Sequence, residues 1–232
     1  MKNLWSDNEA KKYIQRYTKD DVPIDLALRV YSSHLLGNEP KLVLHGGGNT
    51  SVKTIVRDVV DLETSVLCVK GSGWDLGNIE PAGLPAVRLE PIQNLQKLKT
   101  LSDENMVNIQ RANLLNASSP NPSVETLLHA FLPHKFIDHT HSNAVLALSD
   151  QKDGEKICRD LFGDIMGFVP YIMPGFLLAK EAARLYRKDP SVKGLILLNH
   201  GIFTFSNDAK ESYDLMIKYV SDAEKAIKKL KR

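Results

Sequence analysis

Two runs rich in β-branched and apolar residues, SVKTIV and TSVLCVK, lie close together in the first third of the chain, and a third, GLILLNH, lies near its end. Strand-like runs separated by helical patterns require a sheet whose faces are covered by helices. Ile24, Leu28, Tyr31 and Leu35 recur at helical spacing, with Gly37 placed as a C-terminal stop. KLVLH reads as a further buried strand running into Gly46-Gly47-Gly48-Asn49. Residues 91–100 and 102–115 read as helices, the second opened by Ser102 with Asp103 and Glu104 in its first turn. Asn116 to Pro122 is a loop, and Ser123 is placed to cap a short helix, VETLLHAF, which leads into a strand around FIDHTH. Helices are predicted over about 153–161, over LLAKEAARLYRK and from Asn207, with GFVPYIMPG extended between the first two. A mixed sheet with helices on both faces is the economical architecture.

At 232 residues and 43% hydrophobic content the chain can bury a substantial core, and we expect one domain over residues 1–232. Thirty basic against 28 acidic side chains leave a formal charge of +2, which gives no bulk field for nucleic acid or a membrane surface. The basic run from Lys225 to Arg232 reads as a solvated helix end whose cations complement the dipole. Cys68 and Cys158 are too few for a disulfide framework, which points to a reducing compartment. The polar, amphipathic N-terminus lacks the apolar stretch of a secretory signal, and no segment is long and apolar enough to span a bilayer. The expectation is a cytoplasmic protein.

Chemistry concentrates in a few short strings. His139 and His141 are two apart, so in an extended segment they point to one face and can converge on an ion, with His200 supplying a third imidazole. Neutral imidazoles with an open position are typical of catalytic zinc sites, whereas structural sites are closed and thiolate-rich. On these residues alone, ordinary strand and turn histidines remain the alternative. HGGGNTS supplies glycines that let backbone amides approach an anion, plus Asn49, Thr50 and Ser51 as neutral donors; a tight hairpin turn is the rival reading. Neither a Walker nor a dinucleotide pattern is present. A second glycine loop, Lys70-Gly71-Ser72-Gly73, could join Ser123 around the same anion, with Lys70 otherwise a surface strand end. Glu125 lies one turn before His129 and shares its helix face, as an acid–base candidate or simply a dipole-stabilising residue. His129 reads as a satisfied core histidine, and Asp138 projects to the strand face opposite His139.

In this order, GGGNTS, KGSG, PSVETLLH, HTHS and LLNHG resemble the class II aldolase/adducin family over about residues 20 to 225. The longer strings VKGSGWDL, PSVETLLHAFLPHKFIDHTHS, VPYIMPGF and NHGIFTF are similar to the N-terminal aldolase domain of bifunctional aldolase/short-chain dehydrogenase proteins. The resemblance implies a three-layer α/β/α fold with a mixed, mainly antiparallel central sheet. It also implies zinc on His139, His141 and His200, with Glu125 as the acid–base group. Asn49 and Ser51 match the first phosphate-loop motif, Ser72 and Gly73 the second, and Ser123 a hydroxyl before the acidic residue. Val124 stands where several members have a second serine, which weakens the phosphate assignment there.

The activity so implied is cleavage of a phosphorylated ketose to dihydroxyacetone phosphate and an aldehyde, by a homotetramer with sites at subunit contacts. Rivals on the same scaffold are 4-epimerisation and dehydration. A non-catalytic, adducin-like interaction module is a rival of another class, against which the retained histidines and Glu125 count. The chain ends at Arg232 without a nucleotide-binding pattern, so redox activity is not expected of it.

Overall fold

In the computed structural model, which describes residues 1–58 and 60–230, a continuous mixed sheet separates two layers of helices. The strands are β1 (Asn49–Arg57), β2 (Glu63–Val69), β3 (Ala86–Arg88), β4 (Phe136–Thr140), β5 (Met166–Val169), β6 (Gly194–Leu197) and β7 (Gly201–Ser206). Their spatial order is β3-β2-β1-β4-β7-β6-β5, and every neighbouring pair is antiparallel except β5 with β6. This is the mixed, mainly antiparallel sheet expected of the family.

Period-two alternation explains why apolar runs form these strands. Val66 and Cys68 of β2, Phe136 of β4, Ile196 of β6 and Ile202 of β7 feed one core. The intervening Leu67 and Val69, Ile137, Leu195 and Leu197, and Phe203 and Phe205 feed the other. With both faces buried, such strands read as nearly continuous hydrophobic sequence. The first core is closed by α1 (Asp7–Tyr17), α2 (Ile24–Gly37), α6 (Asn143–Ser149), α7 (Gly154–Phe162) and α9 (Ala209–Leu230). The second is closed by α3 (Leu89–Asn94), α4 (Asp103–Ala112), α5 (Thr126–Phe131) and α8 (Phe176–Lys188). Each large side chain removed from water in this way contributes about 1.5–3 kcal/mol.

Helix ends follow their local chemistry. Ser6 and Ser102 cap α1 and α4 by accepting from the Glu9 and Asn105 amides. Helix α2 runs through Gly37 to a cap at Asn38, so Gly37 is no left-handed stop. It lacks a side chain because a Cβ there would lie 2.1 Å from the Gly77 amide nitrogen. Helix α5 begins at Thr126, later than expected: Ser123 Oγ accepts from the Glu125 amide at 3.2 Å in the turn before it. Lys225 pairs with Asp222 at 3.0 Å on α9, in keeping with a solvated helix end, while Lys231 and Arg232 lie outside the described residues.

KLVLH is not a strand. Leu42 and Val43 bond back to the Glu39 carbonyl at 2.9 and 3.3 Å, burying their side chains from a turn while Leu44 and His45 face outward. A short apolar run does not distinguish a strand from a buried loop. The glycine string therefore leads into β1 rather than forming a hairpin. Gly48, at φ 65°, is forced: a Cβ there would meet Val43 Cγ1 at 2.6 Å and the His139 carbonyl at 2.8 Å.

A buried ion pair ties the layers together. Asp138 points to the face of β4 opposite His139 and accepts from Arg29 Nη2 on α2 and Ser212 Oγ on α9, each at 2.5 Å. Both charged side chains are fully buried, and Arg29 also donates to the Ser51 and Ile137 carbonyls at 3.2 and 3.3 Å.

Candidate metal and acid–base site

His139 leaves β4 on the face that carries Ile137, and His141 follows two residues later just past the strand end. His200 occupies the tight turn between β6 and β7, where Asn199 takes a left-handed conformation at φ 58° and the His200 amide donates to the Leu197 carbonyl at 3.1 Å. Antiparallel pairing of β4 with β7 brings the turn beside the β4 end. One ligand-capable atom from each of the three histidines lies within 4.8 Å of the others. Gly201 is required by the backbone, since a Cβ there would stand 2.4 Å from the Thr140 carbonyl oxygen, and it would also crowd His139 Cε1 at 3.1 Å and His141 Cδ2 at 3.3 Å.

The surroundings prepare the imidazoles for a metal. His139 Nδ1 donates to the Ile202 carbonyl at 3.1 Å, and its ring stacks on Phe203, its cross-strand partner, with centroids 4.1 Å apart. That carbonyl fixes the tautomer and leaves Nε2 as a bare lone pair. His139 Nε2, His141 Nε2 and His200 Nδ1 are all buried without a hydrogen-bond partner among the described residues. Burial pushes all three rings toward the neutral form: His139 well below the usual imidazole range, His141 also down, and His200 to about 4. Neutral, orphaned imidazoles around a shared space fit a metal of the zinc type.

Glu125 closes one side. Its Oε2 lies 3.4 Å from His139 Nε2 and its Oε1 3.3 Å from His200 Nε2. With both rings held neutral, these contacts are not ion pairs. Burial raises the carboxyl to about 7, against the opposing pull of an Asn49 hydrogen bond and the Lys70 charge. Asn49 Nδ2 donates to Glu125 Oε2 at 2.5 Å and to Ser123 Oγ at 3.1 Å, while Oε1 has no hydrogen-bond partner among the described residues. A buried carboxyl titrating near neutrality with one free oxygen suits proton transfer.

The structure separates the expected anion donors. Asn49 and Ser123 sit beside Glu125 through the bonds just given. Ser72 and Gly73 are exposed on the neighbouring loop, which is held alongside 121–123 by Ser72 N to Asn121 O at 2.8 Å and Ser123 N to Lys70 O at 3.1 Å. Ser51 is different: it is fully buried, and its hydroxyl bonds to His129 Nδ1 at 2.7 Å, so it has no open path to an anion. Helix α5, at six residues, contributes less dipole than a full-length helix would. Lys70 is buried rather than a surface strand end, with Nζ donating to the Gly46 carbonyl at 2.9 Å. Burial lowers its pKa, and the nearby Asp75 and Glu125 charges oppose that shift. A lysine ending an otherwise buried apolar run, VLCVK, was the available signal. Gly201 and the Ile202 carbonyl carry no comparable mark.

Family comparison agrees with this geometry. The family described as Class II Aldolase and Adducin N-terminal domain matches residues 29–227, and the chain belongs to it. A solved N-terminal class II aldolase domain of a conserved protein from Thermoplasma acidophilum is 40% identical, with a TM-score of 0.85 over 98% of this chain and 99% of that one. An uncharacterized oxidoreductase, YuxG, of Bacillus subtilis is 33% identical over 98% of this chain, which spans 32% of that relative's length. A sugar-phosphate aldolase from Thermotoga maritima shares the fold at 14% identity, with a TM-score of 0.66 over 88% of this chain and 94% of that one.

Proposed function

We propose that this chain is a zinc-dependent aldolase that cleaves a phosphorylated ketose to dihydroxyacetone phosphate and an aldehyde, working as one domain over residues 1–232 in a cytoplasmic homotetramer. The observation that carries the reading is the meeting of His139, His141 and His200 with a buried carboxyl that titrates near neutrality. These imidazoles would hold the ion, which when bound supplies Lewis-acid neutralisation of charge developing on substrate oxygens. Glu125 moves the proton. Because Asn49 occupies Oε2, Oε1 is the atom that receives it. Lys70, Ser72, Gly73 and Ser123 bind the phosphate, the lysine supplying charge and the others directional donors, while Asn49, expected among those donors, has its amide taken up by Glu125, Ser123 and His129 and instead holds Ser123 in place. Ser51 acts from behind, through His129.

Dihydroxyacetone phosphate tests the reading without knowledge of the aldehyde. Zinc-loaded protein is expected to bind it more tightly than unphosphorylated dihydroxyacetone and to exchange its carbon-bound proton with D₂O, seen by NMR. Equal binding of the two ketones would remove the phosphate site. Absence of exchange despite binding would favour the epimerase or dehydratase reading.

Metal content gives a second prediction. His139→Ala/His141→Ala is expected to lose most bound zinc and keep its fold, because the core is apolar; stoichiometric zinc in that variant sinks the assignment. All three rings have pKa values below the ordinary range, so protons compete weakly for them. Zinc measured after dialysis is expected to persist at mildly acidic pH and to fall only as pH approaches about 4, where His200 takes a proton.

A further inference from the structure

Behind Glu125 lies a hydrogen-bond chain whose direction is set when Glu125 is ionised, the form in which a base acts. His129 on α5 is fully buried, with Nδ1 2.7 Å from Ser51 Oγ and Nε2 against Asn49 Oδ1. Asn49 Nδ2 in turn donates to Glu125 Oε2 at 2.5 Å and Ser123 Oγ at 3.1 Å. An ionised carboxylate only accepts, so with the base in its active form the amide nitrogen faces Glu125 and the amide oxygen faces His129. That oxygen accepts, so the hydrogen sits on Nε2. A neutral ring carries one N–H, so Nδ1 accepts and Ser51 donates. Lys53 anchors the backbone around the ring, its Nζ donating to the His129 and His134 carbonyls at 2.7 Å each.

We propose that His129 is a positioning residue for the proton-transfer step: its Nε2–H locks the Asn49 amide so that Nδ2 stays on Glu125 Oε2 and Oε1 stays free. The proposal rests on the reading of Glu125 as the base. Without the Nε2 donor, Asn49 Oδ1 is a buried acceptor with no partner, and rotation of the amide brings that oxygen against the carboxylate. The base then loses the hydrogen bond that favours its ionised form and orients it. The step served is abstraction of a proton from the substrate carbon beside the carbonyl: the C–H bond breaks, its electron pair stays on the substrate, and the O–H bond forms at Oε1.

His129→Phe keeps a ring but removes both nitrogens, whereas His129→Gln can return an N–H donor toward Asn49. Proton exchange into dihydroxyacetone phosphate is expected to fall about 10- to 100-fold in His129→Phe, the range typical when an outer partner of a site residue is lost. Zinc content should be unchanged, and His129→Gln should recover most of the rate. Wild-type exchange in His129→Phe, or equal losses in the two variants, overturns the proposal. Long-range ¹H–¹⁵N correlation on the unaltered protein reads the tautomer directly and does not depend on activity or on variants folding: Nε2–H is expected, and Nδ1–H or a doubly protonated ring overturns it. Glu125→Gln separates the two readings, since retained exchange there removes the base itself, whereas lost exchange beside an unaffected His129→Phe removes only the positioning role.

Discussion

Glu125→Gln is expected to keep its zinc and lose proton exchange into dihydroxyacetone phosphate by about 10²–10⁴-fold, the usual contribution of a positioned acid–base group. Glutamine preserves the volume and can still accept from Asn49 Nδ2, so the shell of Asn49, Ser123 and His129 stays in place. What disappears is the basic oxygen at the Oε1 position, which has no hydrogen-bond partner among the described residues. Three imidazoles remain to hold the ion, so metal analysis and exchange should part company in this variant. In the metal-free wild type, whose carboxyl titrates at about 7, the ionised form gains as pH rises through neutrality. Turnover equal to wild type in Glu125→Gln would exclude the carboxylate from the chemistry. Loss of zinc together with turnover would make it an obligatory ligand.

Asp138→Ala is expected to destabilise the fold by about 3–5 kcal/mol, because it strands the fully buried Arg29 guanidinium without its counter-charge. It also removes the acceptor of Ser212 Oγ. For a chain of this size the loss corresponds to roughly 6–20 °C in thermal midpoint. Replacing both partners by apolar residues of similar volume, as in Arg29→Met/Asp138→Leu, is expected to restore most of that stability, since neither desolvated charge remains. Calorimetry of the single and double variants measures the difference. A single variant melting within a degree or two of wild type would show that water or another group compensates Arg29.

Much of this fold and site could be read in the sequence because its strands stand out as apolar, β-branched runs and its histidines fall two apart at the end of one of them. HTH at a strand end gave the shared face of His139 and His141, and the same period sent Asp138 the other way. What stayed hidden depends on long-range geometry. KLVLH had strand composition, but its hydrogen bonds are satisfied by the preceding turn. Ser51 carried the right chemistry for an anion, and only the packing of α5 against β1 shows that His129 has claimed its hydroxyl. Lys70 looked like an exposed strand end because nothing local records that the loop after α2 folds over it. Gly201 appeared as the end of a familiar string, while its physical reason is close approach to the Thr140 carbonyl, with the His139 and His141 rings just beyond.

The two faces of β4 have a joint consequence for assembly. Asp138, facing the first core, must find Arg29, and His139, facing the second, must find His200 and Glu125. A slip of one residue in the pairing of β4 would exchange the faces, driving a carboxylate into the imidazole cluster and a histidine against a guanidinium. Both errors are expensive, and they occur together. A metal held by these imidazoles would therefore act as a proofreading step for the central strand: only chains with β4 in its native register present the site, and the ion would add its binding free energy to that register alone.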